Sequence, residues 1–269
     1  MFFKKTYKSK SEKKPNISDN RKKILYSNNP NLVYLLNKRF QWMSRYTKNK
    51  KVVIELGSGN GCLKKILKQK KILLTDIVKY PWIDKKVDML RVNLEKKFLK
   101  KVDVFIINHS LHHCANPSKC LDKMSKYLKE NGVILINEPE TSFFLKLLQI
   151  LLDDESWSLK DNVFNKNKNL FNPRNPWISN TAIAQLLFKN EIKFQKHFPQ
   201  YKIEKNYVSE FFIFLNSSGV NSDFFSIKLN FFLLDIINFV DKFLIFLFPQ
   251  VFALNRTIVL RKIKNKNVQ

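Results

Sequence analysis

Apolar residues in this chain fall into two kinds of run, short β-branched stretches and longer stretches with a helical period, and the two alternate from about residue 31 onward. The short runs read as buried strands: Val52–Leu56, Ile72–Leu74, Val87–Leu94, Val102–Asn108 and Gly132–Asn137. Between them lie helical patterns. Asn31–Tyr46 carries Leu32, Leu35, Leu36, Phe40 and Met43 on one face, and Cys62–Gln69 carries Leu63, Ile66 and Leu67. Pro117–Lys129 opens on proline and is closed by Asn131-Gly132. Beyond Glu140, Phe143–Leu152 is nearly all apolar, broken by Lys146 and Gln149, and a polar loop covers Asp153–Arg174. Tyr201–Val208 and Arg256–Ile263 read as strands six and seven. Between those two, Phe224–Phe248 is a second greasy helix with Asp235, Asn238 and Asp241 or Lys242 on one stripe. Residues 1–28 are rich in Lys, Ser and Asn and read as a flexible basic tail. The pattern predicts an α/β fold, a Rossmann-like doubly wound sheet of seven strands with a helical insertion between strands six and seven. It divides into a core at 29–140 and a cap with the last two strands at 141–269.

The protein has five glycines, and Gly57, Gly59 and Gly61 occupy alternate positions of one loop after the first strand. Such a cluster marks left-handed backbone or a ligand too close for a Cβ. A dinucleotide loop reads G-x-G-x-x-G and seats a pyrophosphate on the helix that follows. Here the spacing is E-x-G-x-G-x-G, and the acid before the loop, Glu55, would repel a pyrophosphate and suit a cationic or amine-bearing ligand. Asp76, ending the second strand, stands where an acid accepts hydrogen bonds from two ribose hydroxyls. Three of the four histidines, His109, His112 and His113, follow the fourth strand together with Cys114. Open α/β sheets bind ligands at that end, and Glu138 and Glu140 end the fifth strand on the same rim. A His/Cys metal site is one reading of this cluster. Adjacent histidines point in different directions and no second ligand cluster has a suitable spacing, so no metal is expected.

Composition changes this picture little. A 269-residue chain, 44% hydrophobic with 24 Phe, can build a sizeable core. The formal net charge of +27 suggests a nucleic-acid partner, but Lys is spread throughout with Asn and Ile, as a compositional bias would leave it. Cys62, Cys114 and Cys120 have no paired spacing, which fits a reducing cytoplasm. Met1-Phe2-Phe3-Lys4-Lys5 is followed by no apolar segment of secretory type. The uninterrupted apolar run Phe243–Phe248 is far short of the roughly 20 residues needed to cross a bilayer. Phe224–Phe248 does not cross a bilayer; burial as a core or dimer element is one reading, and capping the acceptor cleft with peripheral attachment to the inner face of a membrane is the sharper expectation. Oligomeric state is not legible.

The ordered motifs Glu55-Leu-Gly-Ser-Gly59, Thr75-Asp76, Val102-Asp103-Val104, Leu111-His112-His113, Glu130-Asn131-Gly132 and Glu138-Pro139 resemble those of class I S-adenosylmethionine-dependent methyltransferases, specifically the type-11 group. The resemblance covers Asn31 to Glu140. It implies an antiparallel last strand and S-adenosyl-L-methionine as cofactor, held by Glu55, Gly57, Ser58, Gly59, Gly61, Asp76 and Asn108. Asn93, near the end of the third strand, would approach the adenine amine. The Leu-His-His stretch would line the cleft where donor meets acceptor, putting His109, His112, His113 and Glu138 on the acceptor side with His112 or His113 as general base. Asn175–Asn180 suits a lid, and the stretch Asn175–Ile183 with the apolar helices resembles methyltransferases of bacterial surface-polysaccharide pathways. That likeness implies a small-molecule, sugar or lipid-linked acceptor. Two rivals stand beside this reading. An RNA or DNA methyltransferase is motivated by charge, but strand four ends Asn108-His109-Ser110-Leu111 rather than Asn/Asp-Pro-Pro-aromatic. A non-catalytic module keeping the cofactor fold is the other.

Overall fold

The computed structural model describes residues 5–10, 16–69, 71–219 and 225–264. Seven strands, β1 (Val53–Leu56), β2 (Ile72–Asp76), β3 (Lys85–Lys86), β4 (Val102–Asn108), β5 (Leu128–Pro139), β6 (Tyr201–Ser209) and β7 (Asn255–Lys262), form one sheet in the order β3-β2-β1-β4-β5-β7-β6. Strands β1 to β5 pair in parallel, and β7 runs antiparallel to both its neighbours, β5 and β6. The order reverses between β1 and β4, which places a crevice at their carboxyl ends.

Alternate side chains of these strands enter two cores. Ile54, Phe105, Ile107, Ile134 and Ile136 pack on one face with Cys120, Leu121 and Met124. Val53, Val104, Ile106, Leu135 and Val259 pack on the other with Met43, Leu63 and Leu67. A strand covered on both faces needs apolar residues at every position, which is why Val102–Asn108 reads as a continuous apolar run. Among the helices supplying these covers and the cap are α1 (Ile17–Tyr26), α2 (Pro30–Phe40), α3 (Leu63–Ile66), α4 (Pro117–Tyr127), α5 (Phe143–Leu152) and α6 (Phe231–Leu247). Two buried bidentate pairs tie the cap to the sheet: Arg39 on α2 with Glu210 after β6, and Arg256 on β7 with Glu140 after β5.

Several expectations are corrected. Val87–Leu94 is not a strand; β3 is the two-residue Lys85–Lys86, and the stretch behind it is a series of turns closed by Asn93 Oδ1 accepting the Asp88 N–H at 2.8 Å. Val87, Val92 and Leu94 still point into the core, so apolar burial is present here without a hydrogen-bonded ladder. The helix expected over Cys62–Gln69 is the single turn α3, ended by Lys68 at φ 53°. The pattern over Asn31–Tyr46 begins as α2 and continues as shorter turns at Gln41–Met43 and Ser44–Thr47. Asn131-Gly132 does not close α4. It sits inside β5 at a bulge, where Val102 pairs with Leu128 but Val104 with Val133.

Residues 1–28 are not a free tail where they are described: Thr6–Tyr7 pairs with Trp157–Ser158, and α1 packs on the glycine loop. Residues 1–4 and 11–15 of that stretch, and Phe224 of the expected C-terminal helix, lie outside the described residues.

Candidate active site

The carboxyl ends of β1, β2, β4 and β5 open into a cavity of about 560 Å³, whose other walls come from α1, α2, α5 and the loops after β3 and α5. The three loop glycines divide the work. All have left-handed φ, at 67°, 45° and 63° for Gly57, Gly59 and Gly61. A Cβ on Gly57 would lie 2.6 Å from the Ser110 Cβ, and one on Gly61 would lie 2.6 Å from the Trp82 ring. Those two are glycine because the β4 turn and Trp82 press against them. At Gly59 a Cβ would meet nothing within 4 Å, and the residue lines the cavity. The loop is held from outside, with Trp82 Nε1 donating to the Gly59 carbonyl at 2.8 Å and Arg21 of α1 donating to the Asn60 carbonyl while lying over the Trp82 ring.

Two acids face the cavity at this end. Asp76 accepts the N–H of Gly59 at 2.8 Å and of Val78 at 2.9 Å, and burial raises its carboxyl above the ordinary range. Glu55 Oε1 accepts from Asn108 Nδ2 at 3.0 Å, and burial pushes its pKa up to about 7. No donor among the described residues reaches Glu55 Oε2 or Asn108 Oδ1, both buried. A pair of acceptors without donors in a cavity wall is complementary to an ammonium group, which carries only donors. Beside them Ile77, Val78, Met89 and Leu90 supply an apolar wall, and Ile17 and Ile24 of α1 close the side. Acceptor set and wall fit S-adenosylmethionine: an amino acid ammonium would donate to Glu55 and Asn108 Oδ1, ribose hydroxyls to Asp76, and a flat base would lie against the apolar wall. Ser58 lines the loop with its hydroxyl bonded to the Glu55 carbonyl at 3.3 Å.

Asn93 does not belong to the site. It is exposed and turned to the Asp88 backbone, while Asp88 itself lines the cavity. Asp88 follows Lys85-Lys86-Val87, with a single apolar residue before it, so it lacks the apolar run that marks Asp76. It was obscured by carrying the strand on to Leu94.

At the other end, the turn after β4 is organised by Glu138. This fully buried carboxylate accepts the N–H of Ser110 (2.7 Å), Leu111 (2.8 Å) and His112 (3.2 Å), and meets His112 Nδ1 at 2.5 Å. His112 Nε2 meets Glu155 Oε1 at 3.0 Å. Burial alone would depress the imidazole, but Glu155 and Glu138 outweigh it and raise the pKa to about 10. Neither Glu138 nor His112 lines the cavity. This corrects the expectation for both: they form a buried ion-pair chain, and an imidazolium clamped between carboxylates is no general base. His109 stands at φ 45° and lines the cavity, its ring held neutral by burial.

His113 and Glu155 do face the cavity. His113 Nδ1 lies 3.2 Å from the Ile178 carbonyl, an acceptor only, so Nδ1 carries an N–H, and Nε2 faces Glu155 Oε1 at 3.5 Å. His112 holds Glu155 ionised, well below the ordinary carboxyl range against the effect of burial. Glu155 has no motif around it in the sequence; the loop after α5 delivers it. His112, His113 and Glu155 place ligand atoms within 4.8 Å of one another. With both His112 nitrogens engaged by carboxylates, the arrangement is complete as a chain of ion pairs. Pro176 and Trp177 of the expected lid wall this end, and Asn180 N–H donates to the His112 carbonyl at 2.9 Å. Leu145, Leu148, Gln149 and Leu152 of α5 complete it, whereas no residue of α6 lines the cavity, so α6 is not the cap of the cleft.

A protein-family model described as a methyltransferase domain matches residues 30–190. The chain belongs to this methyltransferase family. The match runs from α2 past the lid and includes the acids, the glycine loop and the histidine turn, and the enzyme is an S-adenosylmethionine-dependent methyltransferase with the class I fold. Among solved structures, an S-adenosylmethionine-dependent methyltransferase from Archaeoglobus fulgidus is 17% identical with TM-score 0.46, over 86% of this chain and 94% of that one. A protein described as a type 11 methyltransferase from Sulfolobus solfataricus is 13% identical with TM-score 0.40, over 84% and 92%. The trans-methyltransferase CalH in complex with SAH is 13% identical with TM-score 0.45, over 86% and 57%. Likenesses of this size say nothing about the acceptor. Comparison with the curated proteins finds no match.

Proposed function

We propose that this methyltransferase methylates a hydroxyl group of a small-molecule or lipid-linked acceptor, a sugar on a membrane-bound carrier being the form that best suits its surface. The observation that carries this is the single cavity joining the Glu55, Asp76 and Asp88 end to the His113 and Glu155 end. Bound S-adenosylmethionine supplies an activated methyl group on a sulfonium. The chain's own residues position, exclude water and move one proton. Asp76 holds the ribose hydroxyls, Asp88 the base amine, and Glu55 with Asn108 the ammonium. His113 Nε2 takes the proton of the attacking hydroxyl, and Glu155 stabilises the imidazolium that results. His112 and Glu138 act through others, as positioning residues that keep Glu155 ionised and the turn in place. Trp177, Pro176 and the α5 leucines keep water from the acceptor. The acceptor meets the enzyme at a membrane surface, by peripheral contact; no helix among the described residues is long and apolar enough to cross a membrane.

The cofactor part is tested by thermal stabilisation, since a ligand that binds only the folded state adds RT ln(1 + [L]/Kd) to its stability. S-adenosylmethionine should raise Tm and Asp76→Ala should weaken binding by about 1 to 3 kcal/mol through lost charge-assisted hydrogen bonds. Stabilisation by NAD with none by S-adenosylmethionine would overturn it. The acceptor part is tested by following S-adenosylhomocysteine formation with soluble glycosides and with lipid-linked saccharides; turnover with neither, beside turnover with amines, would displace the hydroxyl.

A further inference from the structure

Helix α6 is built inside out. Its inward line is Leu234, Asn238, Asp241 and Ile245, and Asp241 is 1% exposed. The Asp241 carboxylate accepts the N–H of Phe211, Phe212 and Ile213, closing the N-terminus of the short helix Phe212–Leu215. Asp235 accepts from the Tyr34 hydroxyl at 2.5 Å and pairs with Lys38. Both acids of α6 are therefore engaged by the protein. What faces outward is aromatic: Phe232 is 72% exposed, Phe239 71% and Phe246 83%, with Phe243, Ile236 and Leu247 between them. The strand-like approach to the helix adds exposed Phe225 and Ile227. Scattered apolar residues on a surface are ordinary, but a whole helix face of phenylalanine is not.

We infer that this face is an interfacial anchor that seats the enzyme on an anionic lipid surface, with α6 lying in the plane of the headgroups. Charge decides between a bilayer and a second copy of the chain. The protein carries +27, and the two cations in and beside the helix, Lys228 and Lys242, are exposed. Pairing two such faces brings like charge together, whereas an anionic surface attracts both the lysines and the rest of the molecule. Phenylalanine on a helix with a narrow polar stripe suits the boundary between headgroup and acyl chain. The face also lies beside the acceptor end. Ile245 and Leu244 pack in one cluster with Phe214, Leu145 and Leu148, and those last three line the cavity. The orientation rests on the acceptor reading above only in that it would bring the cavity to a lipid-carried substrate; the docking itself does not need it.

The test is co-sedimentation of the full chain with vesicles of phosphatidylcholine alone and of phosphatidylcholine with phosphatidylglycerol, in low and high salt, alongside sedimentation velocity. Wild type should pellet with the anionic vesicles at low salt and be released by high salt, each surface lysine contributing about fivefold to the partition. Phe243→Ser with Phe246→Ser should cut the partition at least tenfold, while leaving Tm and stabilisation by S-adenosylmethionine unchanged, since both side chains point outward. Wild type staying in the supernatant with anionic vesicles overturns the proposal. So does a dimer in solution that the double variant dissociates, because the face is then a contact between copies. Loss of cofactor stabilisation in the wild type would instead strike the methyl-transfer reading, and leaves the sedimentation result to stand or fall alone.

Discussion

At the scale of the residue, two buried groups lose stability in the same direction, as pH rises, but in different windows. Glu55 has its carboxyl raised from 4.5 to about 7 by burial, so the folded protein binds an extra proton between those values and its stability falls as pH rises through that window. A cofactor ammonium needs the ionised form, so affinity for S-adenosylmethionine should rise by up to about tenfold per pH unit toward 7 and level off above it. Calorimetric titration across this range checks it; affinity that declines toward 7 contradicts the role. His112 is raised from 6.5 to about 10, its two carboxylates overcoming burial, so its stabilisation is complete below about 6.5 and lost as pH rises through 10. Replacing it by alanine leaves Glu138 and Glu155 buried without their cation and should cost about 3 to 5 kcal/mol in denaturant unfolding. His113→Ala should leave stability and cofactor binding close to wild type while slowing turnover about 10²-fold. Full activity in His113→Ala would remove the proton acceptor from the mechanism.

At the scale of the element, the glycine loop separates packing from binding. Gly57→Ala adds a Cβ 2.6 Å from Ser110 at positive φ, so the β4 turn must move and Tm should drop clearly. Gly59→Ala meets no atom within 4 Å and carries only the left-handed penalty of about 1 to 2 kcal/mol, yet its methyl enters the cavity. It should weaken S-adenosylmethionine by about tenfold or more with the smaller loss of Tm. Thermal melts with and without cofactor distinguish the two, and equal Tm losses with equal binding would mean the cavity does not hold the cofactor at Gly59.

At the scale of the whole molecule, the chain's first helix belongs to the site although it precedes the family match. Ile17 and Ile24 wall the cavity, and Arg21 braces the loop through Asn60 and Trp82. A chain lacking residues 1–28 should keep the sheet's unfolding cooperativity but bind S-adenosylmethionine about tenfold more weakly, measured by calorimetry. Unchanged affinity would make α1 a bystander.

Sequence alone determined the elements whose physical cause is local or periodic. The double-faced burial of Val102–Asn108, the three glycines after Val52–Leu56 and the acid ending Ile72–Asp76 each declare themselves, because a buried parallel strand, a positive φ and a hydrogen-bonding acid leave marks on residue type. From these followed the seven-stranded α/β fold, while the cofactor followed from the resemblance that the ordered motifs carry. Where burial comes without a strand, the reading failed: Val87, Val92 and Leu94 enter the core from turns, which hid Asp88 behind Asn93. Only tertiary structure could sort the three histidines. His112 and His113 are neighbours of the same type, and one became a buried imidazolium because Glu138 and Glu155 close on it, while the other lines the cavity between the Ile178 carbonyl and Glu155. Glu155 lies 42 positions beyond His113 in a loop with no motif, so its part in the site exists only through the contact. The same holds for α6, whose amphipathic pattern is plain in the sequence but whose sense is not. A stripe of Asp and Asn among phenylalanines says that two faces differ; which one turns inward was decided by the backbone donors of Phe211, Phe212 and Ile213 that Asp241 satisfies.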